Sequence, residues 1–163
     1  MQERKNVLIL CTRNSARSQM AALLLRKYAG DRFEVYSAGL QPDRIHPLVG
    51  PVMEEIGLDV SGERSKSVQE YLGRVVAHYL IMVCENAEKN CPRIFPGPGE
   101  RLYWPFDDPA AVEGSEEERL AAFRRVRDQI DTRIREWLRE LDASRSGQQA
   151  VDVEKPRKQG DEE

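Results

Sequence analysis

A run of four apolar residues, Val7-Leu8-Ile9-Leu10, stops at Cys11-Thr12-Arg13-Asn14-Ser15-Ala16-Arg17-Ser18, and a helical pattern begins directly behind it. This junction constrains the fold more than any other stretch of the chain. The run is short and carries β-branched Val7 and Ile9, so it reads as a parallel strand buried on both faces. Met20, Leu23, Leu24 and Tyr28 then share one helical face, and Gly30 supplies a stop signal. The order is strand, tight loop, helix, with a cysteine at the strand's carboxyl end and an arginine where the helix starts.

That order makes a site for an oxyanion. Backbone N–H groups in the loop and first helical turn have no intrahelical partner and converge above the strand end. Arg17 adds a planar fork of donors matched to a tetrahedral anion. The same positive field favours the thiolate of Cys11, which is the nucleophilic form. Ser18 is placed to donate a hydroxyl hydrogen bond to the sulfur, and Asn14 tolerates left-handed geometry and can fasten the loop. Thr12, Arg13, Asn14, Ser15, Ala16, Arg17 and Ser18 are thus the candidate anion-binding residues. The alternative, a structural cysteine beside a surface arginine, requires strand, cysteine, arginine and helix to coincide without purpose.

The 163 residues suffice for one domain with a proper core. A formal net charge of −3 and a pI near 5.6 argue against nucleic acid or a membrane surface as partner. No apolar run approaches the ~20 residues that span a bilayer. Met1-Gln2-Glu3-Arg4-Lys5-Asn6 leads straight into the first strand without room for a signal peptide, which makes the cytoplasm the expected location. The cysteines are Cys11, Cys84 and Cys91, an odd count that speaks against a static disulfide framework.

Further along, Phe33–Gly39 reads as a second strand, Pro47–Ile56 as a helix closed by Gly57, and Val68–Leu72 as a short helix. Ala77–Cys84 reads as a third strand, with a second cysteine at its carboxyl end. Glu85–Asn90 is expected to be helical and closed by Cys91-Pro92, followed by a loop over 93–99 and a fourth strand at Leu102–Trp104. Ser115 and Glu118 form a capping box. The long helix behind them carries Leu120, Phe123, Val126, Ile130, Ile134, Trp137 and Leu141 on one face. The pattern stops at Ala143, so the expected organisation is one domain over 1–142 and a disordered polar tail over 143–163. Strands alternating with helices predict an α/β fold, a four-stranded parallel sheet with helices on both faces, whose ligands bind at strand carboxyl ends. Cys11 and Cys84 both sit at such ends.

Cys-x5-Arg-Ser at 11–18 resembles the signature of the low-molecular-weight tyrosine phosphatases and of the thioredoxin-coupled arsenate reductases built on the same fold. Asp108-Pro109 resembles the loop that supplies the general acid in that fold; Asp107 is the adjacent competitor, and Asp108 is chosen because it directly precedes proline. Cys84-Glu85-Asn86-Ala87-Glu88-Lys89-Asn90-Cys91-Pro92 and Trp104–Ala110 resemble the reductases in particular. Ala110, Ala111 and Val112 stand where the phosphatases usually place tyrosines, which favours a small inorganic substrate. The resemblance covers about residues 6–141.

The resemblance implies reduction of arsenate to arsenite by Cys11, Cys84 and Cys91, with Arg17 and Asp108 as further catalytic residues and thioredoxin as reductant. No bound cofactor is expected, and no feature of the sequence demands more than a monomer. Some members bind potassium near the loop through counterparts of Asn14 and Ser37; here Arg64 and Lys66 occupy other expected ligand positions, and a lysine can replace the cation's charge. Zinc is disfavoured, since His46 and His78 show no ligand spacing and read as structural. Two other readings stay open: a phosphatase of the same fold acting through a Cys11 phosphoenzyme, and a silent anion-binding or redox-sensing module. Cys84 and Cys91 as two buried small apolar residues is the plain alternative to the relay.

Overall fold

The apolar run becomes β1 (Lys5–Cys11), and its Val7, Leu8, Ile9 and Leu10 are completely buried. The structure is a computed structural model that describes residues 4–94 and 99–161, with side chains over 4–90 and 99–145. β1 pairs in parallel with β2 (Phe33–Gly39) on one side and with β3 (Tyr79–Met82) on the other, and β4 (Glu100–Tyr103) lies outside β3. The sheet order is β2-β1-β3-β4. The connection from β1 to β2 runs one way along the sheet, and those from β2 to β3 and β3 to β4 run the other way. Right-handed crossovers therefore put α1 (Arg17–Ala29) on one face and the connections through α2 (Val49–Glu54) and α3 (Glu85–Ile94) on the opposite face. Full burial of β1 follows from that double cover.

The reversal of direction opens a crevice at the carboxyl ends of β1 and β3. The register is fixed there: Leu10 faces Met82, and the Val83 N–H donates to the Leu10 carbonyl at 2.9 Å. Cys11 ends β1, and Cys84 follows β3 by two residues, so both thiols reach the same edge of the sheet. β3 is shorter than the expected 77–84, since its pairing to β1 runs only from Tyr79 to Met82.

Several local expectations hold. Gly57, at φ 80°, closes the turn after α2 with its N–H on the Glu54 carbonyl, and Leu58 N–H reaches the Met53 carbonyl. The capping box forms as a reciprocal pair, Glu118 N–H on Ser115 Oγ and Ser115 N–H on Glu118 Oε1, each at 3.2 Å. Phe123, Val126 and Ile130 of the amphipathic stripe are buried. Three expectations are corrected. The segment after Ser67 is a 3-10 turn at Val68–Glu70 rather than a longer helix, and the helix predicted over 47–56 is limited to Val49–Glu54. Pro92 does not close α3, which continues to Ile94; a proline so near the end forfeits a single i→i−4 bond.

The chain divides into two compact units, Met1–Asp131 and Thr132–Glu163. The second is the latter part of α4 (Glu116–Asp161), on which Arg133 pairs with Glu136 and Glu140. The backbone is helical on past Ala143, where the apolar stripe ends and the tail was expected. Side chains beyond Arg145 lie outside the described residues.

Because β1 is covered on both faces, shortening one of its side chains leaves a cavity with little scope for collapse. Ile9→Ala is expected to lower the unfolding free energy by about 2–5 kcal/mol in urea titration. A loss under about 1 kcal/mol would contradict the burial described.

Candidate active site

The residues between β1 and α1 form a loop whose carbonyl groups are taken up on its outer side. The strand β2 leaves the sheet beside β1, and the segment after it runs along the loop. There Leu40 N–H donates to the Cys11 carbonyl, Gln41 N–H to Thr12, Asp43 N–H to Arg13 and His46 N–H to Ser15, at 2.7–3.2 Å. Ser65 Oγ also donates to the Arg13 carbonyl at 2.8 Å, and Gln19 Nε2 to the Asn14 carbonyl at 3.0 Å. In a trans peptide the N–H points opposite to the C=O. Outward carbonyls from Cys11 to Ser15 therefore turn the following N–H groups inward, over Cys11. The Asn14 N–H shows the direction directly, donating to Cys11 Sγ at 3.1 Å.

Asn14 makes the turn. Among the described non-glycine residues it alone has positive φ, 54°. Its completely buried side chain fixes the rest: Oδ1 accepts from Lys66 N–H and Gln19 Nε2, both at 2.9 Å. The Lys66 N–H can only donate, so Nδ2 must face Ser18, where it donates to Oγ at 2.7 Å. The Ser18 hydroxyl hydrogen is then left for Cys11 Sγ, 3.0 Å away. Cys11 thus receives a backbone and a hydroxyl donor, both suited to a thiolate.

Gly39 is required by the same close approach. A Cβ there would lie 2.7 Å from Asn14 N and 2.7 Å from the Thr12 carbonyl oxygen, closer than real contacts allow. Lys66 closes the back of the loop with its side chain almost fully buried. Its ammonium donates to the Arg64 carbonyl at 2.7 Å and to Ser37 Oγ at 3.3 Å. Burial is the main influence lowering its pKa, with Arg26 and Arg64 acting the same way and Glu63 and Glu70 opposing them.

In front of the loop is a cavity of about 560 Å3, lined by Cys11, Thr12, Arg13, Ser15, Ala16 and Arg17. Asn14 and Ser18 do not line it; they sit behind the sulfur. Arg17 is anchored by an N–H on the Phe106 carbonyl at 3.0 Å, and its other terminal nitrogen is 3.9 Å from Asp108 Oδ2. Asp108 is half exposed, accepts the Ala110 N–H at 3.0 Å as cap of a 3-10 turn at Pro109–Ala111, and lines the cavity. Asp107 does not line it. Ala110 and Ala111 form part of the wall, so no aromatic side chain stands there.

Four further residues line the cavity: Asp43 and Arg44, to which the sequence assigns nothing, His46, which it reads as structural, and Pro47, which it reads as a helix start. They carry no motif or periodicity. The available signal was topological: in a parallel pair, the segment after β2 must leave the sheet beside the segment after β1. His46 stacks on Phe123 with ring centroids 4.7 Å apart, and Nδ1 accepts the Leu48 N–H at 3.1 Å. Nε2 therefore carries the proton of the neutral ring. Burial and then the Arg119 charge hold its pKa below the usual value, against an opposing effect of Asp108. His78 is outside the site, its Nδ1 accepting the Asn6 N–H at 2.9 Å.

Cys84 lies beside the loop. Its buried sulfur is 3.4 Å from Thr12 Oγ1 and accepts the Ala87 N–H at 3.4 Å, at the amino end of α3. Cys11 and Cys84 are both free thiols. Cys91 is in α3, but its side chain lies outside the described residues. Among the described residues no His/Cys/Asp/Glu cluster forms a metal site, and no helix is long and apolar enough to cross a membrane.

Residues 6–149 match the family model described as low molecular weight phosphotyrosine protein phosphatase. The chain belongs to that family. Within it, the chain is 44% identical over 133 residues to an arsenate reductase of Halalkalibacterium halodurans, a match covering 81% of this chain and 94% of that one. It is 39% identical over 135 residues to an arsenate reductase of Bacillus subtilis, covering 83% and 96%. Among solved structures, a thioredoxin-dependent arsenate reductase of Corynebacterium glutamicum superposes with a TM-score of 0.66 at 30% identity, covering 88% of this chain and 64% of that one. The four-stranded parallel sheet is the family's phosphatase fold.

Since Gly39 admits the loop at backbone distance, Gly39→Ala is expected to displace Thr12 and Asn14. Titration with inorganic phosphate, read by calorimetry, is expected to show at least tenfold weaker binding with the circular dichroism spectrum retained. Unchanged phosphate affinity would show that the loop does not depend on this contact.

Proposed function

We propose that the protein reduces arsenate to arsenite through Cys11, Cys84 and Cys91, with thioredoxin as the final reductant. The observation that carries this reading is the placement of a second buried thiol, Cys84, on the Thr12 side chain at the lip of the loop that holds Cys11. A phosphatase has no use for that thiol. The arsenate reductases among the relatives support the substrate, and the thioredoxin-dependent neighbour supports the reductant. Ala110 and Ala111 in the cavity wall suit a small inorganic anion.

In this reading arsenate sits in the loop on the inward N–H groups and Arg17. The Cys11 thiolate attacks arsenic, and the displaced hydroxide leaves as water with a proton from Asp108. The Cys84 thiolate then attacks Cys11 Sγ. The sulfur–arsenic bond breaks, its electron pair stays on arsenic, and arsenite departs from a Cys11–Cys84 disulfide. Cys91 attacks Cys84 Sγ, releasing the Cys11 thiolate and leaving a Cys84–Cys91 disulfide, which a thioredoxin dithiol reduces as it is itself oxidised. Seven residues of helix span ~10.5 Å along the axis, whereas a disulfide needs Cα atoms within about 7 Å. The 84–91 segment must therefore unwind on oxidation. The shared loop also supports a phosphatase reading, in which Cys11 carries the phosphoryl group and Asp108 protonates the leaving oxygen.

A bound potassium ion does not fit the residues present. The Lys66 ammonium already occupies Ser37 Oγ and the Arg64 carbonyl, and Asn14 Oδ1 is held by two N–H donors. Substituting sodium for potassium in the assay is expected to change turnover by less than twofold; a larger loss would reinstate the ion. Residues 1–142 are taken as the functional part, acting as a monomer in the cytoplasm.

The deciding experiment follows arsenate-dependent NADPH oxidation with thioredoxin and thioredoxin reductase, beside hydrolysis of a small aryl phosphate. Turnover is expected in the wild type and is expected to vanish in Cys91→Ser and Cys11→Ser. Arsenate turnover absent throughout, with aryl phosphate hydrolysis indifferent to Cys91, would leave the phosphatase.

A further inference from the structure

His46 lines the anion cavity and is held there by three contacts. Its backbone N–H donates to the Ser15 carbonyl at 3.0 Å, which ties it to the anion loop. Its ring stacks on Phe123 of α4, with centroids 4.7 Å apart. Its Nδ1 accepts the Leu48 N–H at 3.1 Å, so the lone pair there is spent. A proton on Nδ1 would meet the Leu48 hydrogen head-on. Burial and the Arg119 charge also oppose an imidazolium, against the opposite influence of Asp108. The ring is therefore a neutral donor, and its Nε2–H has no hydrogen-bond partner among the described residues.

The geometry of attack gives that hydrogen a destination. Cys11 attacks from the floor of the loop, so the oxygen that leaves lies opposite the sulfur and points out into the cavity. The charged and polar side chains lining the cavity outside the loop are Asp43, Arg44, His46 and Asp108. Asp43 and Arg44 are exposed, whereas the His46 ring is half-buried and fixed. Asp108 is committed through Oδ1 to the Ala110 N–H, which leaves Oδ2 to carry the proton it gives. We propose that His46 is a substrate-binding residue whose Nε2–H donates to the outward oxygen, while Asp108 supplies the proton with which that oxygen leaves. This division of labour depends on an uncharged ring. An imidazolium facing Asp108 would hold it as a carboxylate, and the acid would be lost. A neutral N–H stabilises the negative charge that develops on the oxygen and leaves the Asp108 proton in place. The contact with the anion stands on the cavity alone; its part in turnover rests on the arsenate reading.

The chain has two histidines, so isotope-labelled histidine gives an uncrowded nitrogen spectrum, with His78, outside the site, as internal reference. Sulfate is the probe, a tetrahedral dianion whose charge is constant near neutral pH. At about pH 7.5, sulfate is expected to shift the His46 Nε2 signal while Nδ1 stays unprotonated and His78 stays unmoved. This readout needs no variant. His46→Asn then separates the donor from the support, because an asparagine side chain can accept the N–H two residues on, as Nδ1 does from Leu48. Sulfate affinity, read by calorimetry, is expected to fall about tenfold in His46→Asn, the scale of losing one hydrogen bond to a charged group. In turnover, kcat/KM for arsenate is expected to fall at least as far. A His46 signal that sulfate leaves unmoved or converts to an imidazolium, or an equal sulfate affinity in His46→Asn, would overturn the proposal. If the signal shifts and the affinity falls while even the wild type fails to reduce arsenate, the anion contact stands and the substrate assignment fails.

Discussion

The direction of five successive carbonyls decides what this protein can bind. Cys11 to Ser15 each give the carbonyl to a partner outside the loop, from the 40–46 segment or from Gln19. Planar trans peptides then leave the N–H groups no direction but inward. The cradle is consequently an indirect product of β2 and the 40–46 segment, as much as of the motif itself. Had that segment left the sheet elsewhere, the loop carbonyls would have been free to rotate toward the nucleophile, and a positive site would have become a negative one. Gly39 belongs to the same constraint, because β2 can supply this support only if its last residue lacks a side chain.

Asn14 links that backbone arrangement to the chemistry of the sulfur. One buried amide ties the left-handed turn, the Lys66 backbone, Gln19 and Ser18 into a single set of directed hydrogen bonds. Its energetic weight comes from burial: each of these groups, left unpaired, would lose about 1–3 kcal/mol. Ser18 accepts from Asn14 and keeps its own hydroxyl hydrogen to give to a Cys11 thiolate. The loop is thus preorganised before any anion arrives, and Arg17 is held in place by the Phe106 carbonyl.

The sheet and the position of Cys11 were legible in the sequence because they rest on strong local signals: an unbroken apolar strand, a glycine-ended second strand, and a loop of small polar residues between strand and helix. The capping box at Ser115 and Glu118 was legible for the same reason. Asp43, Arg44 and His46 were not, since they reach the cavity through the path of a loop that only the strand order determines. α3 runs past Pro92, because the helix-breaking tendency of proline costs little so near a helix end. By sequence Asn14 and Ser18 group with the anion-binding residues. The structure separates backbone from side chain: their contribution to Cys11 lies behind the sulfur, away from the cavity.

A helical α3 and the Cys84–Cys91 disulfide of the proposed relay are two states that one conformation cannot satisfy. As a helix it brings Asn86 and Asn90 together, presents the Ala87 N–H to Cys84 Sγ and holds that sulfur beside the anion loop. The same regularity keeps residues 84 and 91 two turns apart, beyond the reach of a disulfide. A covalent bond between them and a regular α3 are therefore mutually exclusive. The helix need not be rigid for this to matter. Among its described side chains, Glu85 pairs with Lys89 on the exposed side and Ala87 is buried. In the proposed relay this segment opens while the paired strands β1 and β3 keep the crevice in place.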